Sequence, residues 1–249
     1  MSEEWITGKN AVLEALRAGR PINKVWTAEG AGKGQMKQVF DLAKENGVLV
    51  QPSPRKKLDE LAGNNRHQGV VASVAAYEYA QLEDLFKKAR DKGEDPFFLL
   101  LDEIADPHNL GSILRTADAA GAHGVIIPKR RSVGLTQAVA KSSTGAIEHV
   151  PVVRVTNLAR TMDELKEKGL WLAGTDAKGK QDFREWDGDM PVGLVIGSEG
   201  KGMSRLVKEK CDFLLSIPMT GHVTSLNASV AASLLMFEVL RKRKPIGQG

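Results

Sequence analysis

The sequence predicts an α/β protein in two parts, a small alternating unit over residues 1–76 and a larger unit over 96–249 built on a parallel sheet. Three observations predict it. Six short apolar runs recur through the second part, at 97–101, 124–127, 152–155, 171–173, 192–196 and 213–217, and helical stretches lie between most of them. Strand–helix–strand repetition requires parallel strands covered on both faces. The first 76 residues alternate the same two patterns on a smaller scale, and residues 77–95 turn polar and acidic between two basic flanks.

Taken in order, Thr7 is placed to cap a helix through about Ala18, with Ala11, Val12, Ala15 and Leu16 on one face and Gly19 as its stop. Residues 24–27 and 48–50 read as short strands around a helix from about Gln35 to Asn46, which ends before Gly47. Pro52-Ser53-Pro54 signals a turn, Arg55-Lys56-Lys57 a basic helix start, and 69–75 a closing strand. Residues 77–95 read as a linker carrying a short helix on Leu82, Leu85, Phe86 and Ala89. The last helix, about Leu226 to Lys242, is apolar nearly all round, which buries it against the sheet or against another subunit.

Composition narrows the class. With 249 residues, 42% of them hydrophobic, the chain can bury a core and is not disordered throughout. The single cysteine, Cys211, excludes an internal disulfide framework and a cysteine-rich zinc module. No apolar stretch approaches the ~20 residues of a membrane span, and the first residues lack a signal-peptide pattern, so a soluble cytoplasmic protein is expected. The net charge of +4 permits a nucleic-acid partner without establishing one. The histidines at 67, 108, 123, 149 and 222 show no metal spacing, and no metal is expected.

Three segments carry chemistry. The first is residues 102–118, after the first strand of the large unit, where α/β proteins bind ligands. Asn109 or Ser112 is placed to cap its helix, Leu110, Ile113, Leu114 and Ala117 form an apolar stripe, and Ser112, Arg115 and Asp118 share a polar face that solvent alone would also explain. The second, Val195-Ile196-Gly197-Ser198-Glu199-Gly200-Lys201-Gly202, runs a strand into a glycine-rich loop. Its G-x-x-G-x-G spacing fits neither a dinucleotide fingerprint nor a P-loop, and Ile196 stands where a nucleophile elbow needs glycine. Glu199 would repel phosphate and suits hydroxyl or amine donors. In the third, 216–230, Ser225 or Asn227 starts the last helix, and the other is left to meet a ligand.

Together these segments resemble the three motifs of the SpoU (TrmH) branch of the SPOUT RNA 2′-O-ribose methyltransferases: N-L-G-x-x-x-R-T-A, G-S-E-G-x-G and I-P-M…S-L-N-A-S-V-A, spread over about 98–241. Residues 8–16 and Asn64-Asn65-Arg66-His67-Gln68-Gly69-Val70 resemble the small L30e-like substrate-binding domain of the 23S ribosomal RNA guanosine-2′-O-methyltransferases. The resemblance implies a trefoil-knotted large domain, S-adenosylmethionine (AdoMet) bent among its loops, and a homodimer. It implies Arg115 as the catalytic residue, helped by Asn109, Glu199, Ser225 and Asn227. It places Thr175, Gly197, Gly200, Ile217 and Leu226 at the cofactor. Free arginine, with a pKa above ~12, is a poor base, so Arg115 either has its proton affinity lowered by the site or holds a phosphate or the developing oxyanion. Glu199 and Asn109 are expected to orient it. Arg55, Lys56, Lys57 and Arg66 are the expected RNA contacts, although a solvated basic face would look the same. His67 and Gln68 serve either RNA or the fold. A tRNA ribose methyltransferase, a resistance-type enzyme acting at another ribosomal site and a non-catalytic assembly factor are the rival readings; a nucleotide-phosphate enzyme would need the P-loop that is absent.

Overall fold

A computed structural model describes residues 3–17, 20–30, 33–63, 66–75, 77–179 and 181–244. They divide into two units, 1–78 and 79–249, each with its own sheet. The expected stop at Gly19, the end of the first helix at Ala18 and the Asn64-Asn65 part of the small-unit motif lie outside the described residues.

The first unit runs β1 (Glu3–Thr7), α1 (Lys9–Arg17), β2 (Ile22–Ala28), α2 (Lys33–Glu45), β3 (Val50–Ser53), α3 (Arg55–Ala62) and β4 (Val70–Ala75). The sheet order is β1-β4-β2-β3; β4 pairs antiparallel with β1 and β2, and β3 is the parallel edge. Val12, Ala15 and Leu16 of α1 and Met36, Val39 and Ala43 of α2 cover one face, over Val25, Val70, Ala72 and Val74. Three expectations change. Thr7 ends a strand that sequence patterning did not show, and α1 starts at Lys9, whose N–H donates to Gln68 Oε1 at 3.2 Å. The strand expected at 48–50 lies at Val50–Ser53 and contains Pro52, which an edge strand tolerates because no partner needs its missing N–H.

The second unit runs α4 (Leu82–Lys92), β5 (Phe97–Leu101), α5 (Pro107–Ala119), β6 (Gly124–Pro128), α6 (Gln137–Ser143), a 3₁₀ turn (Ala146–Glu148), β7 (Val152–Val155), α7 (Leu158–Glu167), β8 (Trp171–Thr175), β9 (Gln181–Asp182), β10 (Val192–Ile196), α8 (Arg205–Glu209), β11 (Phe213–Ser216) and α9 (Ala228–Arg243). All seven strands are parallel, in the order β7-β6-β5-β10-β8-β11-β9. Every residue of β5 and β10 is buried, as two-sided cover demands. One face meets Leu85 and Phe86 of α4, Met162 and Leu165 of α7 and Val207 of α8. On the other, α5 lies against β6 and α9, and α9 against β10. Residues 77–95, expected as a linker, therefore contribute a helix to this core, and Ala80 bridges to Val153 of β7. Chain order reverses direction between β5 and β10, where an open α/β sheet leaves a crevice at its strand carboxyl ends.

The last helix is not buried all round. Ala228, Ala232, Leu235, Met236 and Val239 are inside, whereas Val230, Leu234 and Phe237 are 47%, 40% and 49% exposed. No helix among the described residues is long and apolar enough to cross a membrane.

Candidate active site

The carboxyl edge of the seven-stranded sheet assembles the three segments. After β5, the buried Asp102 carboxylate accepts from Ser204 N–H at 2.6 Å, and Asp102 N–H donates to the Ile196 carbonyl at 2.8 Å. These bonds tie the first segment to the second. Asp106, not Asn109 or Ser112, caps α5 by accepting from His108 N–H at 2.9 Å, with Pro107 in the first turn where its missing N–H costs nothing. Asn109 is thereby free of capping. Leu110, Ile113, Leu114 and Ala117 bury the inner face of α5, which leaves Arg115 exposed on the outside. Gly111 lets α6 approach: a Cβ there would meet Ser142 Oγ at 1.9 Å.

The second segment folds back on itself. Ser198 N–H donates to the Gly202 carbonyl at 3.1 Å and Gly202 N–H to the Ser198 carbonyl at 2.8 Å. A Cβ on Gly197 would lie 2.2 Å from the Gly202 carbonyl carbon and the Met203 nitrogen, so only glycine permits this closure. Gly200 and Gly202 take left-handed φ values of +80° and +69° to make the turn.

In the third segment Asn227 caps α9. Its Oδ1 accepts from Ser229 N–H at 2.9 Å, Ser229 Oγ–H at 2.6 Å and Val230 N–H at 3.4 Å. Its Nδ2 donates to Asn109 Oδ1 at 2.9 Å and Glu199 Oε2 at 3.2 Å. One amide thus joins all three segments. Ser225, the other expected cap, is exposed and free of capping.

Beside this cluster lies a cavity of about 620 Å³, well within the size of small-molecule clefts. Thr175, Gly197, Gly200, Ile217 and Leu226 all line it, as do Glu199 and Ser225. Its apolar wall is Ile196, Leu215, Ile217, Leu226, Ala228 and Ala231. Sequence reading missed Asp176, Lys178 and Lys208 in the lining, and Asp176 and Lys208 form an ion pair. Burial pushes the Asp176 carboxyl up, but the Lys208 hydrogen bond and the Lys178 backbone N–H outweigh it and hold it below the usual carboxylate range. The position of Asp176 one residue beyond Thr175 was the only signal available.

Arg115 stands apart from the lining. Its Nη1 donates to Thr144 Oγ1 at 3.5 Å, so neither Glu199 nor Asn109 orients it as expected; those two meet on Asn227 instead. Thr144 ends α6 in the left-handed region, at φ +52°, a place a β-branched residue seldom takes.

In the first unit Arg55, Lys56 and Lys57 occupy the exposed first turn of α3, where the helix dipole disfavours cations. Arg66 is exposed. His67 is fully buried: Nδ1 accepts from Gly69 N–H at 3.0 Å, which leaves Nε2–H to donate to Asp59 Oδ1 at 2.9 Å. Gln68 supplies the first acceptor of α1. His67 and Gln68 therefore both brace the fold.

Residues 96–237 match the SpoU rRNA Methylase family, and residues 5–80 match the family described as RNA 2′-O ribose methyltransferase substrate binding. The chain is 65% identical over 245 residues, 98% of either chain, to a Bacillus subtilis protein named for the TrmH family of tRNA/rRNA methyltransferases. Its fold is similar to that of the SpoU methyltransferase AviRb from Streptomyces viridochromogenes, crystallised with AdoMet: the TM-score is 0.66 at 29% identity, over 97% of this chain and 90% of that one. An AdoMet-bound rRNA methyltransferase from Sinorhizobium meliloti gives a TM-score of 0.63 at 26% identity, over 96% and 87%.

Proposed function

The chain belongs to the SpoU rRNA methylase family of RNA 2′-O-methyltransferases, and from that premise we propose that it methylates the 2′-oxygen of a guanosine in 23S ribosomal RNA, with AdoMet as donor. The observation that carries the reading is the junction at Asn227, which brings Asn109 and Glu199 together at the rim of the cavity. The cavity suits AdoMet: an apolar wall for a purine, a glycine turn whose backbone closes without side chains, and the Glu199 carboxylate for a cationic ligand. Thr175, Gly197, Gly200, Ile217 and Leu226 would hold it. When bound, AdoMet supplies an electrophilic methyl group on a sulfonium.

The chain's own residues then have to position the ribose and stabilise charge on its 2′-oxygen. Asn109, Glu199 and Asn227, locked to one another, orient the hydroxyl, and Ser225 holds the loop beside it. Arg115, exposed and presenting a planar fork of donors, grips a phosphate or the developing oxyanion, and the hydroxyl proton departs to solvent. Arg55, Lys56, Lys57 and Arg66 contact RNA phosphates; the first three sit where a helix gains nothing from them.

Ribosomal RNA is favoured because the small substrate-binding unit is present and because similarity to a named rRNA methyltransferase runs over nearly the whole chain. The name of the Bacillus subtilis relative also mentions tRNA, which keeps a tRNA guanosine as the second reading. We further read the exposed Val230, Leu234 and Phe237 as the contact between two copies of the chain, the loops after β10 and β11 as the threaded part of a trefoil knot, and the cytoplasm as the place of action.

The test is methyl transfer from labelled AdoMet to total RNA of a strain lacking the gene, with the modified nucleoside mapped. The expected product is 2′-O-methylguanosine in the large-subunit RNA. Label in tRNA overturns the substrate and keeps the chemistry, AdoMet binding with no labelled RNA points to a large-subunit assembly intermediate as the substrate, and no AdoMet binding overturns the enzyme reading. Arg115→Ala should lower kcat by roughly 10²–10³, the loss seen on removing one oxyanion donor, with AdoMet affinity unchanged. Normal turnover would remove Arg115 from the site.

A further inference from the structure

Lys129, Arg130 and Arg131 follow β6 in an unbroken run that none of the motifs uses, and all three are exposed. The loop carrying them is tied at both ends. Lys129 N–H donates to the Val155 carbonyl at 2.7 Å, and Arg154 Nη2 donates to the Lys129 carbonyl at 3.3 Å. At the far end, Val133 N–H and Ser132 Oγ donate to the Ile104 carbonyl at 2.9 and 3.1 Å. Between these ties Arg131 takes φ +59°, as does Glu103 in the loop after β5, a region non-glycine residues seldom occupy, and their side chains pair at 3.0 Å.

Charge sets this loop apart. Several cations of the unit are matched, as in Lys166–Asp212, Lys208–Asp176 and Lys210–Asp163, and in this loop Arg131 pairs with Glu103. Among the described residues Lys129 and Arg130 have no ion-pair partner. Two adjacent unmatched cations repel, and a backbone tied this firmly holds them together; an anionic ligand would relieve that repulsion.

Position identifies the anion. β6 is the neighbour of β5 on the side away from β10. Along the carboxyl edge the order is therefore the cavity, the Asn109–Glu199–Asn227 cluster, then the cationic loop. A ribose placed at the cluster carries its own phosphates toward that loop.

We propose that Lys129 and Arg130 are a phosphate-contact site of the catalytic unit that grips the RNA backbone beside the target ribose, with the Arg131–Glu103 pair setting the loop. The proposal rests on the reading of the chain as an RNA 2′-O-methyltransferase. Such contacts give affinity and salt dependence but no base choice.

The experiment compares the full chain with Lys129→Ala/Arg130→Ala for binding to in vitro transcribed 23S ribosomal RNA across a salt series. We expect about tenfold weaker binding, a salt slope smaller by roughly 1.5 for two lost phosphate contacts, a raised KM for RNA and a nearly unchanged kcat. Lys129→Arg/Arg130→Lys should restore all three. An unchanged slope overturns the proposal, and so does a loss of AdoMet binding or of thermal stability in the alanine variant, which would mean a structural loop. Competition by poly-glutamate as effective as that by RNA overturns it in favour of an acidic protein partner. Arg115→Ala separates the two readings: it should lower kcat by roughly 10²–10³, whereas Lys129→Ala/Arg130→Ala acts on RNA affinity and KM with kcat nearly unchanged. If the wild-type chain neither binds nor methylates RNA, the enzyme reading and this site fall together.

Discussion

Asn227 shows how much one side chain carries. Its oxygen closes the start of α9 while its amide nitrogen holds Asn109 and Glu199, so a change there would mix loss of a cap, typically ~1 kcal/mol, with loss of site geometry. Gly197 is the cleaner probe. Its missing side chain is what lets the backbone of Gly202 and Met203 close over it, and it contributes no polar group of its own. Gly197→Ala should therefore destabilise the chain by about 1–3 kcal/mol through forced backbone shifts and weaken AdoMet binding at least tenfold, read by thermal unfolding and by titration calorimetry. Wild-type affinity in a stable variant would show that the loop has no part in the cavity.

At the scale of elements, α9 reads differently on its two sides. Ala232, Leu235, Met236 and Val239 seal the sheet, and Thr116 of α5 meets Ser233 of α9 at 3.1 Å between their hydroxyls. The outward face, Val230, Leu234 and Phe237, lines a shallow groove of about 500 Å³ with Phe183. Soluble chains seldom leave so continuous an apolar strip to water. On the proposed contact between two copies through this strip, Phe237→Glu should give a monomer without unfolding it where the wild type runs as a dimer, as read by light scattering on a sizing column with circular dichroism as the control. An unchanged mass would locate the contact between copies elsewhere.

Across the whole molecule the seven-stranded sheet separates function from anchorage. Its carboxyl edge carries the cavity, the Asn109–Glu199–Asn227 cluster and the cationic loop. Its amino edge is stapled: Arg243 at the end of α9 donates to the carbonyls of Asp95, Pro96 and Met190, and the buried His123 accepts from Phe97 N–H and donates to Glu94. Burial lowers the His123 pKa below its ordinary 6.5, more than Glu94 raises it. The folded state thus favours neutral His123, so the stability this contributes is present above about pH 6.5 and is lost as pH falls through the lowered value. Urea midpoints measured from pH 7 to 5 should decline in the wild type and decline less in His123→Asn, whose Oδ1 can still accept from Phe97 N–H. Parallel declines in both would assign the acid sensitivity to other groups.

Much of this was written locally. The period of apolar residues determined the strands and helices, because side-chain spacing decides which face can be buried. The three motifs supplied Asn109, Glu199 and Asn227, which meet beside the cavity, and Gly47 and the β3–α3 turn residues determined where elements stop. Where local reading failed, a distant residue had intervened. Thr7 went into a strand because β4, more than sixty residues on, offered a partner, and the stretch at 77–95 became core because the sheet face had room for Leu85 and Phe86. The tertiary structure alone decided that Asn227 would meet Asn109 across 118 positions, that Arg115 would lean on Thr144, and that Asp176 and Lys208 would share the cavity wall. A sequence specifies which groups are available and at what local spacing; which of them touch depends on how strands order themselves in a sheet, and that order is settled by packing over the whole chain.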